Sequence, residues 1–321
     1  MLANLMFKSA LTTHPHTTEQ ASPLPENIPQ LERVQAYYAE ASEGYRDWSK
    51  GLNMHFGTYT WGTNPFNLEA MLENTNRAVL QSLKLRGQQN YVLDMGCGLG
   101  ATARFAAGQT AVASVTGITI AENQVKEARA LSCDRPGAHK LGFHRADYHH
   151  TPFESAQFDG IYAIESACHN TEQNKTSLLQ EALRLLKPGA TLALCDGFMT
   201  TQTHSAFTRL CYQKTCHHWA LGHFPDLHQV TAQMAELGFV NIKVVDLSWR
   251  VLPSALFVPW MIIKYGVKLL CRGDRNPQHW HHLLAPLWGL GLAMNRKAFG
   301  YYLVTGDKPD VTTLATQGVN P

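Results

Sequence analysis

From about residue 90 onward, short apolar runs alternate with stretches in which apolar residues recur every three or four positions. Runs at residues 91–95, 111–118, 141–146, 158–164 and 191–196 predict strands buried on both faces. Between them, residues 101–107, 122–131 and 176–186 carry a helical period. In the second of these, Val125 and Ala128 share one face while Lys126 and Arg129 share the other. Lys187-Pro188-Gly189 is expected to stop the third helix. A helix over 227–237 and strands over 240–247 and 299–305 complete the series. Repeated β-α-β units of this length predict an α/β fold: a Rossmann-like, doubly wound, mostly parallel seven-stranded sheet with helices on both faces.

Three segments fall outside that rhythm. Residues 31–86 are helical and aromatic-rich, 198–225 separate the fifth strand from its helix, and 249–297 separate the last two strands. All three leave or rejoin the sheet near its carboxyl edge, so they are expected to form a helical cap and lid. The predicted organisation is a loose tail at 1–30, a single domain at 31–309 with its core at 87–197, and a second tail at 310–321.

Chemistry is concentrated after the first strand. The apolar run ends in Asp94, and Gly96, Gly98 and Gly100 follow at alternate positions. Such glycines let the backbone turn tightly and approach a ligand where a Cβ would collide. Strand, turn and helix in that order set the ligand at the sheet's carboxyl edge, beside a helix N-terminus. A nucleotide-like cofactor follows, of a kind the motif alone leaves open, because Ala101 also satisfies the dinucleotide pattern. Three more segments fall at the ends of successive strands: Thr116-Gly117-Ile118-Thr119-Ile120 with Gln124, Asp147-Tyr148, and Ala163-Ile164-Glu165-Ser166-Ala167-Cys168-His169.

These segments, together with Leu186-Lys187-Pro188-Gly189, Met54-His55-Phe56-Gly57 and Tyr59-Thr60-Trp61-Gly62, carry a resemblance. Over roughly residues 31–309 the chain resembles class I S-adenosylmethionine-dependent methyltransferases, and among them the sterol and γ-tocopherol C-methyltransferases. The resemblance implies S-adenosylmethionine as cofactor. Asp94, Gly96, Gly98 and Gly100 would approach its methionyl part, and Asp147 its adenine amino group, with Tyr148 or Ile120 flanking the ring. Where the family usually carries a carboxylate for the ribose, this chain has Thr119, so ribose recognition would pass to Thr119, Gln124 or a water. Methylation of an alkene carbon leaves a carbocation. That demands a dry site with π-faces or a carboxylate, and a base. Glu165, His169, Tyr59 and Trp61 are the candidates for this chemistry, with Tyr45, Trp48 and His55 as further ones.

Composition narrows the acceptor. The 16% charged content lies well below the roughly 25% of an average soluble domain, which fits either apolar surface for a greasy ligand, a membrane face or a partner, or simply a neutral surface. A net charge of +2 with no Lys/Arg run argues against nucleic acid. Seven dispersed cysteines read as reduced thiols, and the N-terminus is too weakly apolar for a secretory signal; a cytoplasmic protein is expected. Residues 255–271 are the most apolar stretch. At 17 residues, interrupted by Pro259, Lys264 and Lys268, they fall short of the ~20 needed to cross a bilayer. With Trp280, Trp288 and residues 283–292 they suggest either a lid that takes up an isoprenoid or touches a membrane peripherally, or a buried helix pair that extends the core. No metal is expected, since Cys211, Cys216, His217, His218, His223 and His228 lack a ligand spacing. The expected activity is methyl transfer to a carbon of a hydrophobic isoprenoid- or sterol-like acceptor. An O- or N-methyltransferase, a non-catalytic cofactor-binding protein and a nicotinamide dehydrogenase are the alternatives.

Overall fold

The computed structural model describes residues 29–201, 205–273 and 277–310; both expected tails lie almost wholly outside them. The strands are β1 Asn90–Met95, β2 Val112–Thr119, β3 Leu141–Arg145, β4 Phe158–Ile164, β5 Leu186–Met199, β6 Val240–Asp246 and β7 Phe299–Asp307. They form one seven-stranded sheet in the order β3-β2-β1-β4-β5-β7-β6. The first five run parallel, while β7 is antiparallel to both β5 and β6. Strand order reverses between β1 and β4, where an open α/β sheet leaves a crevice outside its carboxyl ends.

The continuous apolar runs are explained by what lies on each face. Leu93, Met95, Ile118 and Ile161 pack with Leu178, Leu179 and Val230 of α5 (Thr176–Leu185) and α7 (Leu227–Glu236). Val92, Val115 and Tyr162 pack on the other side with α2 (Leu68–Ser82), α3 (Ala101–Ala107) and α4 (Glu122–Ala130). Burying one such Leu or Val side chain is worth about 1.5–3 kcal/mol, so a polar face on these strands would be costly.

β5 departs from expectation. Lys187-Pro188-Gly189 does end α5, but as the first residues of the strand rather than as a loop. The Gly189 N–H donates to the Lys308 carbonyl at 2.9 Å, the Lys308 ammonium reaches the Leu186 carbonyl at 2.7 Å, and Gly189 takes a φ of +78°. Glycine's freedom there lets the chain join the sheet at once.

The cap is built from α1 (Gln30–Trp48), α2 and the loop joining them, and the lid from α6 (Ala206–His218), α8 (Ser248–Ala255), α9 (Phe257–Cys271) and α10 (Pro277–Ala293). Asn67 caps α2 by accepting from the Ala70 N–H. Ser254 of α8 clamps the cap loop, accepting from the Gly57 N–H at 3.0 Å and donating to its carbonyl at 2.7 Å. Together, α8 and α9 lengthen the apolar stretch seen in the sequence: Ser248–Cys271, 24 residues, is long and apolar enough to cross a membrane.

Candidate functional site

At the switch point, Asp94, Gly96, Gly98, Thr102 and Glu165 line a narrow crevice roofed by Met54 and His55. Asp94 ends a buried strand, and its Oδ2 accepts from the Tyr162 hydroxyl at 3.0 Å. Burial pushes its carboxyl up to about 7, against which the Tyr162 hydrogen bond is the weaker influence. A cation brought to Asp94 would restore its charge. Gly96 has a second reason to be glycine: a Cβ there would lie 2.3 Å from the Ser166 Cβ. The close approach of the β1 and β4 ends therefore needs it even without a ligand.

Beside the crevice lies a cavity of about 590 Å³ between the sheet edge and the lid. Tyr37, Trp48, Phe56, Trp219, Phe224 and Trp249 contribute aromatic faces. Val258, Met261 and Ile262 of α9 and Leu290 of α10 close it with aliphatic side chains. The polar side chains reaching this apolar chamber include Glu165, Asp196 and His169. Each Asp196 oxygen accepts one backbone N–H, from Gly197 (2.8 Å) and Cys168 (3.1 Å), and burial raises its carboxyl to about 6. Burial holds the His169 imidazole down to about 4, so it is neutral at physiological pH. It lies 3.4 Å from the Ala220 carbonyl and is a poor base.

Glu165, Met54 and His55 line both spaces, so the crevice and the chamber meet at them. Glu165 takes a φ of +46°, a left-handed conformation that costs a non-glycine residue about 1–2 kcal/mol. It is held there by its own N–H bonded to the Cys195 carbonyl at 2.9 Å. The Phe56 N–H and the Tyr301 hydroxyl both donate to Oε1 at 2.7 Å, which leaves Oε2 to the junction. Burial pushes this carboxyl up to about 8 despite those two donors.

The expected aromatic partners are corrected by the fold. Trp61 is 96% exposed, in a turn of the cap loop, and neither it nor Tyr59 lines the chamber. The Tyr59 N–H bonds to the Arg250 carbonyl at 2.7 Å, which ties this stretch to α8. Trp48 and Phe56 line the chamber instead, meeting edge to face at 5.7 Å. The side chain of Tyr45 lies outside the described residues. His55 is tied to the Phe56 carbonyl and Asn76, both at 2.9 Å, and so serves the cap as well as the wall.

Other sequence candidates do not reach the crevice. Gly100 caps α3 with a φ of +76°, packed where a Cβ would meet the Phe143 ring at 2.7 Å. Thr119 donates to Gln124 Oε1 at 2.7 Å, so the end of β2 presents a neutral hydroxyl–amide pair where a carboxylate was missed. Ile120 packs against Val34 and Tyr37 of α1, and its carbonyl accepts from Gln35. Asp147 turns an oxygen onto the backbone and ring of His149, at 3.0 and 2.6 Å; that side-chain bond holds its carboxyl below the usual range. Tyr148 donates to the Ser166 carbonyl at 3.2 Å and packs on the core, so its ring supports the fourth strand end. Cys211 and Cys216 are free thiols of α6, and among the described residues no three metal-ligating side chains gather.

Tyr301, Asp196 and Trp219 escaped the sequence reading. Tyr301 stands 136 positions from Glu165 and reaches it only because β7 doubles back antiparallel beside β5. An aromatic pair inside a final strand is the sole local signal, and it does not distinguish a hydroxyl donor from core packing.

Comparison with known proteins bears on this geometry. The family described as the methyltransferase domain matches residues 92–189. The chain is 30% identical over 215 residues to the O-methyltransferase resE of Aspergillus sclerotiorum, covering 64% of this chain and 75% of that protein. It is 34% identical over 167 residues to the botryococcene C-methyltransferase of Botryococcus braunii, covering 51% of this chain and 41% of that protein. Among solved structures, the cyclopropane synthase MmaA2 of Mycobacterium tuberculosis matches with a TM-score of 0.74 at 18% identity, over 88% of this chain and 100% of that one. At that identity the likeness is one of fold.

Proposed function

Because the chain belongs to the S-adenosylmethionine-dependent methyltransferases, we propose that it methylates a carbon of a hydrophobic acceptor of isoprenoid or sterol type. The observation that carries this reading is the Glu165 carboxyl at the junction of a polar crevice and a large apolar chamber. When bound, S-adenosylmethionine supplies an electrophilic methyl group on a sulfonium. The crevice fits such a cation: Asp94 is a buried carboxyl lifted to about 7 and lines it beside the turn at Gly96 and Gly98.

The chamber's walls hold an apolar acceptor and exclude water, which aligns the reacting carbon and strengthens every charge interaction inside. With the cofactor bound, its methyl would pass to an alkene carbon, the C–S pair would stay with the departing sulfur, and the acceptor would be left as a cation. Trp48 and Phe56 offer it π-faces, and Glu165 offers Oε2. A positive charge at the junction favours the ionised form of Glu165, offsetting the burial that otherwise keeps it protonated. That carboxylate then accepts the proton whose loss restores the alkene. The neutral, weakly basic His169 lines the acceptor space.

A second reading, transfer to an oxygen, is favoured by the likeness to resE. In it Glu165 removes a hydroxyl proton and no acceptor cation forms. The two separate by inhibition: an ammonium analogue of the acceptor cation blocks carbon transfer and leaves oxygen transfer untouched. Incubation with methyl-labelled cofactor and a lipid extract tests the acceptor class. Label found only in polar products removes the isoprenoid reading.

A further inference from the structure

The mouth of the chamber is greasy on its outside as well as its inside. Trp249, Leu252, Leu256 and Met294 line the cavity and are also exposed, Met294 at 80%. From Leu256 the apolar surface continues along α9 as Trp260, Ile263, Val267 and Leu270, spaced four or three residues apart on one outward stripe. Trp260 is 62% exposed and Leu270 68%, values a buried helix of a globular core does not show. The opposite face is committed inward: Val258, Gly266 and Leu269 are buried, and Lys264 and Lys268 both reach Asp47 of α1, at 3.3 and 3.1 Å.

Charge completes the picture. Residues 247–306 contain seven Lys and Arg against the single acid Asp274, while the rest of the chain holds 20 basic against 24 acidic residues. Asp47 takes up part of that excess at Lys264 and Lys268, and Asp246 part at Arg296, so the lid keeps a smaller positive balance while the remainder of the chain is negative. A helix with an apolar outer stripe, interfacial tryptophans and a basic setting has the chemistry of a segment lying in the headgroup region of an anionic bilayer.

We propose that α8 and α9 dock flat on an anionic lipid surface, with the chamber's mouth turned toward the lipid so that an apolar acceptor passes from bilayer to site without crossing water. The Ser248–Cys271 stretch lies on the membrane rather than across it. Spanning would strand the Lys264 and Lys268 pairs with Asp47 in hydrocarbon and strip the chamber of its roof. The delivery route rests on the apolar-acceptor reading above; the docking does not.

The test is sedimentation of the full chain with vesicles of phosphatidylcholine alone and of equal parts phosphatidylcholine and phosphatidylglycerol. Binding to the mixed vesicles, weakened by salt, is expected. The double variant Ile263→Glu/Val267→Glu, altered at exposed positions outside the cavity lining, should bind about tenfold more weakly or worse while turning over detergent-dispersed acceptor at the parent rate. Absence of binding to either vesicle, or binding unchanged in the double variant, overturns the proposal. So does a concentration-dependent dimer that the same variant abolishes, because the stripe would then be covered by a second copy. Vesicle binding accompanied by methyl transfer to polar acceptors alone would leave the docking standing and remove the apolar-acceptor reading.

Discussion

Replacing Glu165 by Gln changes one charge and almost no shape. The Phe56 N–H and Tyr301 hydroxyl can both donate to the amide oxygen as they do to Oε1, so the left-handed turn keeps its anchors. What disappears is a carboxylate next to a developing cation. Two unit charges about 4 Å apart at an effective dielectric near 20 interact by roughly 4 kcal/mol. Losing that only in the transition state slows carbon methylation by about 10²–10³-fold. Stability should move the other way. The carboxyl sits at about 8 in the folded chain against an ordinary 4.5, so the native state holds the proton that the unfolded state has lost between those values. Stability of the parent therefore falls as pH rises through that window, by on the order of 5 kcal/mol from this group. The variant escapes that loss: it should match the parent at about pH 5 and be the more stable at about pH 9. Single-turnover transfer of labelled methyl, calorimetric cofactor affinity and thermal unfolding at the two pH values together decide it. An unchanged transfer rate, or a rate that falls only with cofactor affinity, refutes the cation role. Identical pH profiles of stability refute the burial argument.

Asp94→Asn should weaken cofactor binding by about tenfold or more. The parent, with this carboxyl at about 7, should release a proton on binding near neutrality that the variant does not; calorimetry in buffers of different ionisation heat reads it. Ser254→Ala leaves the buried Gly57 N–H and carbonyl without their partner and should cost about 1–3 kcal/mol in urea unfolding, loosening lid from cap. Gly96→Ala drives a Cβ to 2.3 Å from that of Ser166 at a φ of +95° and should destabilise by about 2–5 kcal/mol, seen as a lowered melting temperature in cofactor-free protein. Trp61→Ala, at a solvent-exposed ring, should change stability by no more than about 0.5 kcal/mol and leave transfer unaffected.

The sequence alone determined the sheet and the strand ends. Buried strands such as Phe158–Ile164 are apolar but for Asp159, which pairs with Lys187, because helices cover both faces, and helices such as Ala101–Ala107 declare themselves by period and flanking glycine. Asp94, Gly96, Gly98 and Glu165 were legible because strand-end chemistry is local: a few consecutive residues both end the strand and line the crevice. Tertiary structure decided everything that depends on distant segments meeting. It turned Trp61 out and Trp48 in, tied Thr119 to Gln124, and brought Tyr301 across the antiparallel β7 to hold Glu165. It also split one apolar stretch into an inner face that roofs the chamber and an outer stripe left to the surroundings. Hydrophobic periodicity reports how much of an element is covered. Which neighbour does the covering is set by packing between segments far apart in the chain, and no local pattern encodes it.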